Sequence, residues 1–323
     1  MSDRYSRQVV LPEVGERGQA RLAAATVAVV GAGGLGSAVL EYLTAAGVGR
    51  LVIVDHDRVE ESNLHRQPLY RMSDCGKPKV EAASAALTAL NPAVRVETRA
   101  ERLTPANAAA LVAAADVVVD AADSFAATYV LSDACQRAGK PLVSASVLGL
   151  SGYAGAFCGG APSYRAVFPE LPRQAGSCAE FGVLGTAVGV VGTLQAHLTV
   201  AVLLGLEPPV LGRLISVDFR TLHVGGFSFL GAAEPANPLA FIAPAEVTSS
   251  DLVIDLRGLA EAPLSPFASA WRLGVEELEK GGQPLPPERR VVLCCRTGVR
   301  AWRAARALEA RGHRKLALIA FGG

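Results

Sequence analysis

The sequence predicts an α/β protein: a doubly wound, mainly parallel sheet followed by a smaller α/β unit. Three observations carry this expectation. A β-branched apolar run at 27–30 leads directly into a glycine turn and a helical pattern, GAGGLGSAVLEYL. Strand-like and helical patterns then alternate as far as residue 146, as in parallel strands joined by crossover helices. Beyond residue 246 a strand, loop and helix pattern begins again with a different composition.

Strands are expected at 27–30, 51–55, 94–98, 117–120 and 142–146, and helices near 35–46, 77–90, 104–114 and 126–138. Strands near 152–157 and 214–224 would extend the same sheet. In such a sheet ligands lie at the carboxyl ends of the strands. The stretch 183–206 is almost uncharged and long enough to resemble a membrane span. It contains Gln195, His197 and repeated glycines and lacks basic flanks or an aromatic belt, so it reads as a loop entering a buried helix. The tract 231–246, rich in alanine and proline, reads as a linker between a first domain over 1–230 and a second over 247–323.

A chain of 323 residues, half of them apolar, is long enough for two domains with substantial cores. Its 31 basic and 30 acidic residues give no polyelectrolyte signature, so net charge offers no support for a nucleic-acid or membrane-surface partner. No basic n-region with an apolar h-region opens the chain, and a cytoplasmic location is expected. The six cysteines, at 75, 135, 158, 178, 294 and 295, contain no CxxC pair, which indicates reduced thiols and no tetrathiolate metal site. Cys75 and Cys135 fall in helix-like contexts and read as core thiols, Cys294 should face away from Cys295 on its strand, and Cys158 suggests no role. The histidines form no ligand spacing, and His65 is given no proton-transfer role.

Gly31, Gly33 and Gly36 stand at GxGxxG spacing, with Gly34 inside the loop. This is the Rossmann-like arrangement in which backbone N–H groups hold a phosphate on a helix N-terminus. Asp55 closes the next strand where an acid bonds a ribose hydroxyl, which suits NAD and ATP equally. Asn63, Arg66, Gln67 and Lys79 follow closely. Two fixed cations beside a nucleotide point to phosphoryl or nucleotidyl transfer, in which charge building on a phosphate must be neutralised. A nicotinamide oxidoreductase has no evident use for them and remains the third hypothesis, marked by NADH binding without ATP binding.

In this context the chain resembles the ThiF/MoeB family of ATP-dependent adenylating enzymes, bacterial relatives of the ubiquitin-activating enzymes. The matching residues are Arg4-Tyr5-Ser6-Arg7-Gln8, the GAGGLG loop, Asp55, SNLHRQ, GKPKV, Asp123 in DAADS, and SCAEFGVLG followed by VGTLQA, which together span about residues 3 to 230. The resemblance implies ATP across the glycine loop, Asp55 on the ribose, and Asp123, with Ser124 beside it, holding Mg²⁺. Arg66 and Lys79 would neutralise the phosphates, and Asn63 and Gln67 would orient them. Arg7 would reach into a neighbouring subunit's site, implying a homodimer. The substrate would be the C-terminal glycine of a small ubiquitin-like sulfur-carrier protein ending in Gly-Gly. Cys178, in SCAEFG, matches a cysteine that links to the carrier or the sulfur donor, against the plainer role of a small buried residue. Two departures stand out. Ser163 and Ala166 occupy positions of a zinc-binding CxxC pair, so no zinc is expected and that corner should be held by apolar packing. Ser124 and Thr128 replace an Asn and an Arg near the phosphates, which removes a charge-assisted contact.

In the second unit, CRTGVR places Cys295 at the end of an apolar strand and before a helix, with Arg296 and Arg300 close by. Backbone N–H groups, the helix N-terminus and the arginines would stabilise an anionic sulfur able to carry a persulfide. With DLVIDLR as its first strand, this segment resembles a rhodanese-like sulfurtransferase domain, although a GHIPGA-like segment is not found and PFASAWRLG takes its place. Activity, or retention for dimerisation or docking, are both consistent with it. The Gly-Gly at 322–323 reads as the glycine pair of such domains, with self-adenylation as the alternative. The leading expectation is an adenylyltransferase with a fused sulfurtransferase, supplied by a sulfur donor such as a cysteine desulfurase. The alternative is a catalytically weakened relative that binds ATP or a carrier protein, and a tRNA-modifying relative is disfavoured by the neutral charge.

Overall fold

The computed structural model describes residues 3–171, 182–281 and 284–322. Eight strands among them, β1 (Thr26–Val30), β2 (Arg50–Val54), β3 (Arg95–Arg99), β4 (Val117–Asp120), β5 (Pro141–Leu148), β6 (Ser151–Cys158), β7 (Arg213–Asp218) and β8 (His223–Ser228), form one sheet in the order β3-β2-β1-β4-β5-β6-β7-β8. From β3 to β5 neighbours run parallel, and from β5 to β8 antiparallel. In the central strands β1, β2 and β4 nearly every residue is buried, because helices cover both faces. The order reverses at β1, whose neighbours are β2 and β4, and this opens a crevice at the carboxyl ends of the three strands.

The crossover helices are α3 (Gly34–Ala46), α4 (Lys79–Leu90), α5 (Pro105–Ala113) and α6 (Phe125–Ala138), preceded by α1 (Ser6–Val9) and α2 (Gly15–Ala24). A short α7 (Tyr164–Val167) precedes α8 (Gly185–Leu204), which is long and apolar enough to cross a membrane. Its packing accounts for its composition. A Cβ at Gly192 would lie 2.9 Å from the Leu35 carbonyl and 2.9 Å from the Ala38 side chain, so α8 lies backbone-close on α3. Gln195 is fully buried and donates to the carbonyls of Asp120 (2.6 Å) and Val143 (3.1 Å), fastening α8 to the sheet.

The strand expected over 214–224 is instead the hairpin of β7 and β8. The Asp218 carboxylate accepts the N–H groups of Arg220 (2.8 Å) and Thr221 (3.1 Å), which turns the chain before it re-enters the sheet at His223.

A second sheet comprises β9 (Ala240–Phe241), β10 (Leu252–Asp255), β11 (Trp271–Arg272), β12 (Val291–Cys295) and β13 (Leu316–Ala320), in the order β11-β10-β12-β13-β9 and parallel throughout. Helices α9 (Val275–Lys280) and α10 (Val299–Ala310) flank it. The tract 231–246 is more than a spacer: Leu239, Phe241 and Ala243 are buried, and residues 240–241 add an edge strand to β13. The two sheets share one apolar cluster, in which Trp302 of α10 lies 5.2 Å from the Tyr129 ring of α6.

Candidate active site

The glycine loop sits in the crevice, and its glycines are there for different reasons. Gly31 has φ +95° and donates to the Val54 carbonyl at 2.9 Å, and a Cβ on it would come 2.5 Å from the Ala121 carbonyl oxygen. A Cβ on Gly36 would come 2.0 Å from the Gly31 carbonyl, so the first turn of α3 requires a bare backbone. Gly34 lies against Val188 of α8 and the backbone of Arg66. Gly33 differs, since a Cβ there would meet only the Gln67 side-chain nitrogen, at 3.7 Å. Gly33 is the N-cap residue of α3 and no side chain caps the helix, so the N–H groups of its first turn suit a phosphate.

Asp55, beyond β2, braces this loop: its two oxygens accept the N–H groups of Ala32 (2.7 Å) and Asp57 (2.8 Å). Tyr70, buried and not foreseen from the sequence, donates its hydroxyl to the Ala32 carbonyl at 2.6 Å. Lys79 opens α4, is buried, and donates to Asp57 at 2.9 Å. Burial opposes charge on Asp57, but the Lys79 bond and the charges of Lys79, His56 and Arg102 outweigh it and hold the carboxyl below its ordinary range. Arg102 reaches His56 Nε2 at 2.5 Å, a contact across 46 residues that no local motif announces. Asn63 accepts from Gln67 at 3.3 Å, and Arg66 bonds the Ser62 carbonyl at 3.2 Å and His65 at 2.8 Å. Gln67 is 3% exposed; its Nε2 lies next to Gly33, and its Oε1 is a buried oxygen without a partner among the described residues. An orphaned acceptor of this kind is costly unless a donor arrives, and the hydroxyls or amine of a nucleotide are such donors.

At the end of β4, Asp120 is buried and accepts from Ser144 at 2.8 Å, while Asp123 is exposed where the crevice opens. Burial pushes the Asp120 carboxyl up to about 6, against the Thr128 and Ser144 hydroxyls and the Ala122 N–H. Ser124 is the N-cap residue of α6 and makes no side-chain cap. Thr128 is buried and bonds back to the Ser124 carbonyl at 3.3 Å, so it offers no cation to the crevice. Carboxylates are hard oxygen donors of the kind that suit Mg²⁺; Asp123 offers one, and those of Asp55 and Asp57 lie with a His56 ring nitrogen within 4.8 Å of one another.

Arg7 is not brought to this crevice. Arg4, Tyr5 and Gln8 fasten α1 at the far end of α3: Gln8 bonds the Ala46 carbonyl at 3.1 Å, Tyr5 packs on Gly47, and Arg4 bonds the Leu90 carbonyl at 2.9 Å. The exposed Arg7 is thus about 20 Å from the glycine loop, by the rise of a helix of 13 residues. At the corner of Ser163, Glu234 accepts from the Ser163 N–H (2.7 Å) and hydroxyl (2.5 Å), and Tyr153, Phe157, Tyr164, Phe168 and Phe229 stack together. Polar capping thus joins the expected apolar packing. Cys178 lies outside the described residues. Cys75 is exposed, correcting its reading as a core thiol, because it follows a short 3-10 turn on the surface. Cys135 and Cys158 are buried, and burial pushes the Cys158 thiol up to about 12.

Cys295 ends β12, fully buried, and its Sγ accepts the N–H groups of Gly298 (3.1 Å) and Ala301 (3.4 Å). Cys294 belongs to the apolar cluster on the opposite face, as expected, and burial pushes it up to about 12. The two arginines do not point freely at the sulfur, since Glu261 pairs with Arg300 (2.5 Å) and Arg296 (3.2 Å).

The sequence pattern of the ThiF family matches residues 5–238. The chain is 52% identical over 218 residues to the adenylyltransferase and sulfurtransferase MOCS3 of Bos taurus, covering 67% of this chain and 48% of that protein. It is 48% identical over 235 residues to the sulfur carrier protein adenylyltransferase of Thermus thermophilus, covering 69% of this chain and 87% of that one. The chain thus spans about half the length of its MOCS3 relative and most of the bacterial one. The crystal structure of E. coli MccB with MccA-N7isoASN superposes with a TM-score of 0.63 at 23% identity over 73% of this chain and 74% of that one, a likeness of fold. With the family pattern spanning both the glycine crevice and the sheet that builds it, the chain belongs to the ThiF family.

Proposed function

We propose that this chain adenylates the C-terminal glycine of a small ubiquitin-like sulfur-carrier protein with ATP and then passes sulfur to the activated carboxyl. The observation that carries the first step is the N-terminus of α3, which no side chain caps, with Gln67 Nε2 beside Gly33, Arg66 against Gly34, and Lys79 paired with Asp57. The phosphates would lie on the N–H groups after Gly33, and Asp55 would accept from the ribose. Asp123 would hold the Mg²⁺ that accompanies ATP, which draws charge from the phosphate oxygens. The carrier carboxylate attacks the α-phosphorus, pyrophosphate leaves, and an acyl-adenylate remains. Arg66 and Lys79 would neutralise charge that develops on the way, Lys79 exchanging Asp57 for a phosphate oxygen. Arg7 would act in the neighbouring subunit of a homodimer, which its placement at the far end of α3 supports.

For the second step, a persulfide on Cys295 attacks the acyl-adenylate carbonyl and expels AMP. A second thiol, the role implied for Cys178, then takes the Cys295 sulfur as a disulfide and frees the thiocarboxylate. The relatives' names support both steps, since one names adenylylation with sulfur transfer and the other a sulfur-carrier substrate. The N–H groups directed at Cys295 Sγ support the residue chosen. Residues 247–323 would act as the sulfurtransferase domain, supplied by a donor such as a cysteine desulfurase, in the cytoplasm. A scaffold that binds ATP or carrier without turnover is the second reading, favoured by the buried Thr128 where a phosphate-facing cation is implied.

ATP–pyrophosphate exchange with Mg²⁺ and a panel of carrier proteins ending in Gly-Gly separates the two. Exchange that needs one carrier and is lost in Asp123→Ala is expected. ATP binding without exchange for any carrier would favour the scaffold.

A further inference from the structure

The end of the second sheet touches the nucleotide crevice of the first at one polar contact. After β13 the chain stays tied to the Cys295 loop, because Phe321 donates its N–H to the Cys295 carbonyl at 3.0 Å and Gly322 donates to the Arg296 carbonyl at 2.7 Å. Gly322 has φ +82°, and a Cβ on it would overlap the Arg102 guanidinium, 2.7 Å from its Nε. Its bare backbone therefore lies directly on a side chain from the loop after β3. Arg102 in turn reaches His56 Nε2 at 2.5 Å, and that nitrogen lies 3.3 Å from the Asp57 carboxylate, which Lys79 holds at 2.9 Å. The Cys295 loop also meets α6, since a Cβ on Gly298 would come 3.5 Å from the Ala126 side chain. That second contact is apolar and has no charge with which to respond to a nucleotide. The Arg102 contact has one.

Lys79 is the pivot of this chain of contacts. Its side chain is buried, Asp57 is half-exposed, and the carboxylate is kept charged by Lys79, His56 and Arg102 together. When Lys79 turns to a phosphate oxygen, Asp57 loses its closest cation, and a partly buried carboxylate without a partner is less stable than one in open water. Arg102, one imidazole away, is the cation able to replace it, but only by leaving Gly322. We propose that Arg102 is a positioning residue that couples nucleotide binding to the Cys295 loop: with nucleotide bound it moves onto Asp57, and the backbone at 321–322 loses its support. The proposal rests on the reading of the crevice as an ATP site and makes the end of the second sheet a sensor of its occupancy.

Such a coupling is reciprocal. If a nucleotide draws Arg102 from Gly322, then a change that displaces Arg102 from Gly322 beforehand favours the nucleotide by the same factor. Only hydrogen bonds and ion pairs are exchanged.

The test uses the full chain with Mg²⁺ and an ATP analogue carrying a methylene bridge between the α- and β-phosphates. Calorimetry measures its binding, and amide hydrogen exchange reads its effect. Saturating analogue should speed exchange over 316–322 by about fivefold or more, the size of an ordinary coupling between sites. In Arg102→Gln, measured at saturation, that acceleration should vanish, whereas Arg102→Lys, which keeps a cation, should retain it. A purely structural role for Arg102 would shift exchange equally with and without the analogue. Gly322→Ala places a methyl where the guanidinium lies and should bind the analogue about fivefold more tightly. Three results each overturn the proposal alone: wild type that binds the analogue without faster exchange over 316–322, an acceleration that persists in Arg102→Gln, or a Gly322→Ala affinity no better than that of wild type. Wild type that binds no analogue overturns it together with the ATP reading.

Discussion

Asp120 and the loop glycines make separable predictions at the scale of single residues. The Asp120 carboxyl has a folded value of about 6, above its ordinary 3.8, because burial opposes its charge. A raised carboxyl binds its proton more tightly in the folded chain, so its stabilisation is complete below about pH 4 and is lost as pH rises through 6. That loss is on the order of 3 kcal/mol for a shift of roughly two units. Asp120→Asn cannot titrate, so the melting temperature of the variant minus that of wild type should climb between about pH 4 and 7.5; a flat difference would mean that Asp120 ionises normally. The glycines contrast in another way. Gly33→Ala adds a methyl that meets only Gln67 at 3.7 Å, so the variant should melt like wild type yet bind ATP at least about tenfold more weakly, by blocking the N–H groups after it. Gly36→Ala, with its Cβ 2.0 Å from a carbonyl, should lose both stability and binding. Equilibrium binding beside thermal melts distinguishes the two outcomes.

At the scale of elements, α8 shows what an apolar, glycine-rich helix is for. Gly192 lies where α8 crosses α3, and a Cβ there has two atoms at 2.9 Å, whereas a Cβ at Gly189 has nothing within 4 Å. Gly192→Val should therefore cost about 1–3 kcal/mol by overpacking. Gly189→Ala should stabilise by about 0.5–1 kcal/mol through helix propensity and a less flexible unfolded chain. Urea denaturation of both variants checks the pair, and equal effects would mean that α8 does not sit on α3 as described. The elements of the first sheet were legible in the sequence because strand and helix periodicities are local and strong. The β7–β8 hairpin was not, because the turn is made by the Asp218 carboxylate inside an otherwise strand-like run. The edge strand at 240–241 was hidden because two residues carry no period and their partners on β13 lie 77 residues further along the chain. In the candidate site, Asp55, Lys79 and the glycines were readable from spacing. The Arg102–His56 contact, the Tyr70 anchor and the Glu261 pair were not, since each joins distant segments only after folding.

At the scale of the whole molecule, the question is whether the two sheets stand or fall together. The seam between them is built on Trp302, which is 2% exposed, lies 5.2 Å from the Tyr129 ring, and donates to Glu170 at 3.3 Å. Arg306 adds an ion pair with Glu170 at 2.8 Å, but the pair is partly solvated and contributes less than the ring. Arg165, itself paired with Asp133 at 2.6 Å, lies over the Tyr129 ring at 4.5 Å and near the indole at 5.8 Å, so the seam has a cation between two aromatic faces. Phe241, on the tract that joins the units, packs 6.5 Å from the same indole, so the connection and the seam share one apolar surface. Removing the indole leaves a cavity at the centre of that surface and should cost about 3–5 kcal/mol. Because each sheet keeps its own helices, the loss should fall on the coupling between them and leave their separate cores intact. Wild type should unfold in a single calorimetric transition, and Trp302→Ala in two, the second sheet first, since its edge strand β9 and the Phe241 contact depend on the seam. A single transition in both proteins, merely lowered in the variant, would mean that residues 247–323 have no independent stability and that the Cys295 loop is held in place by the first sheet and its helices.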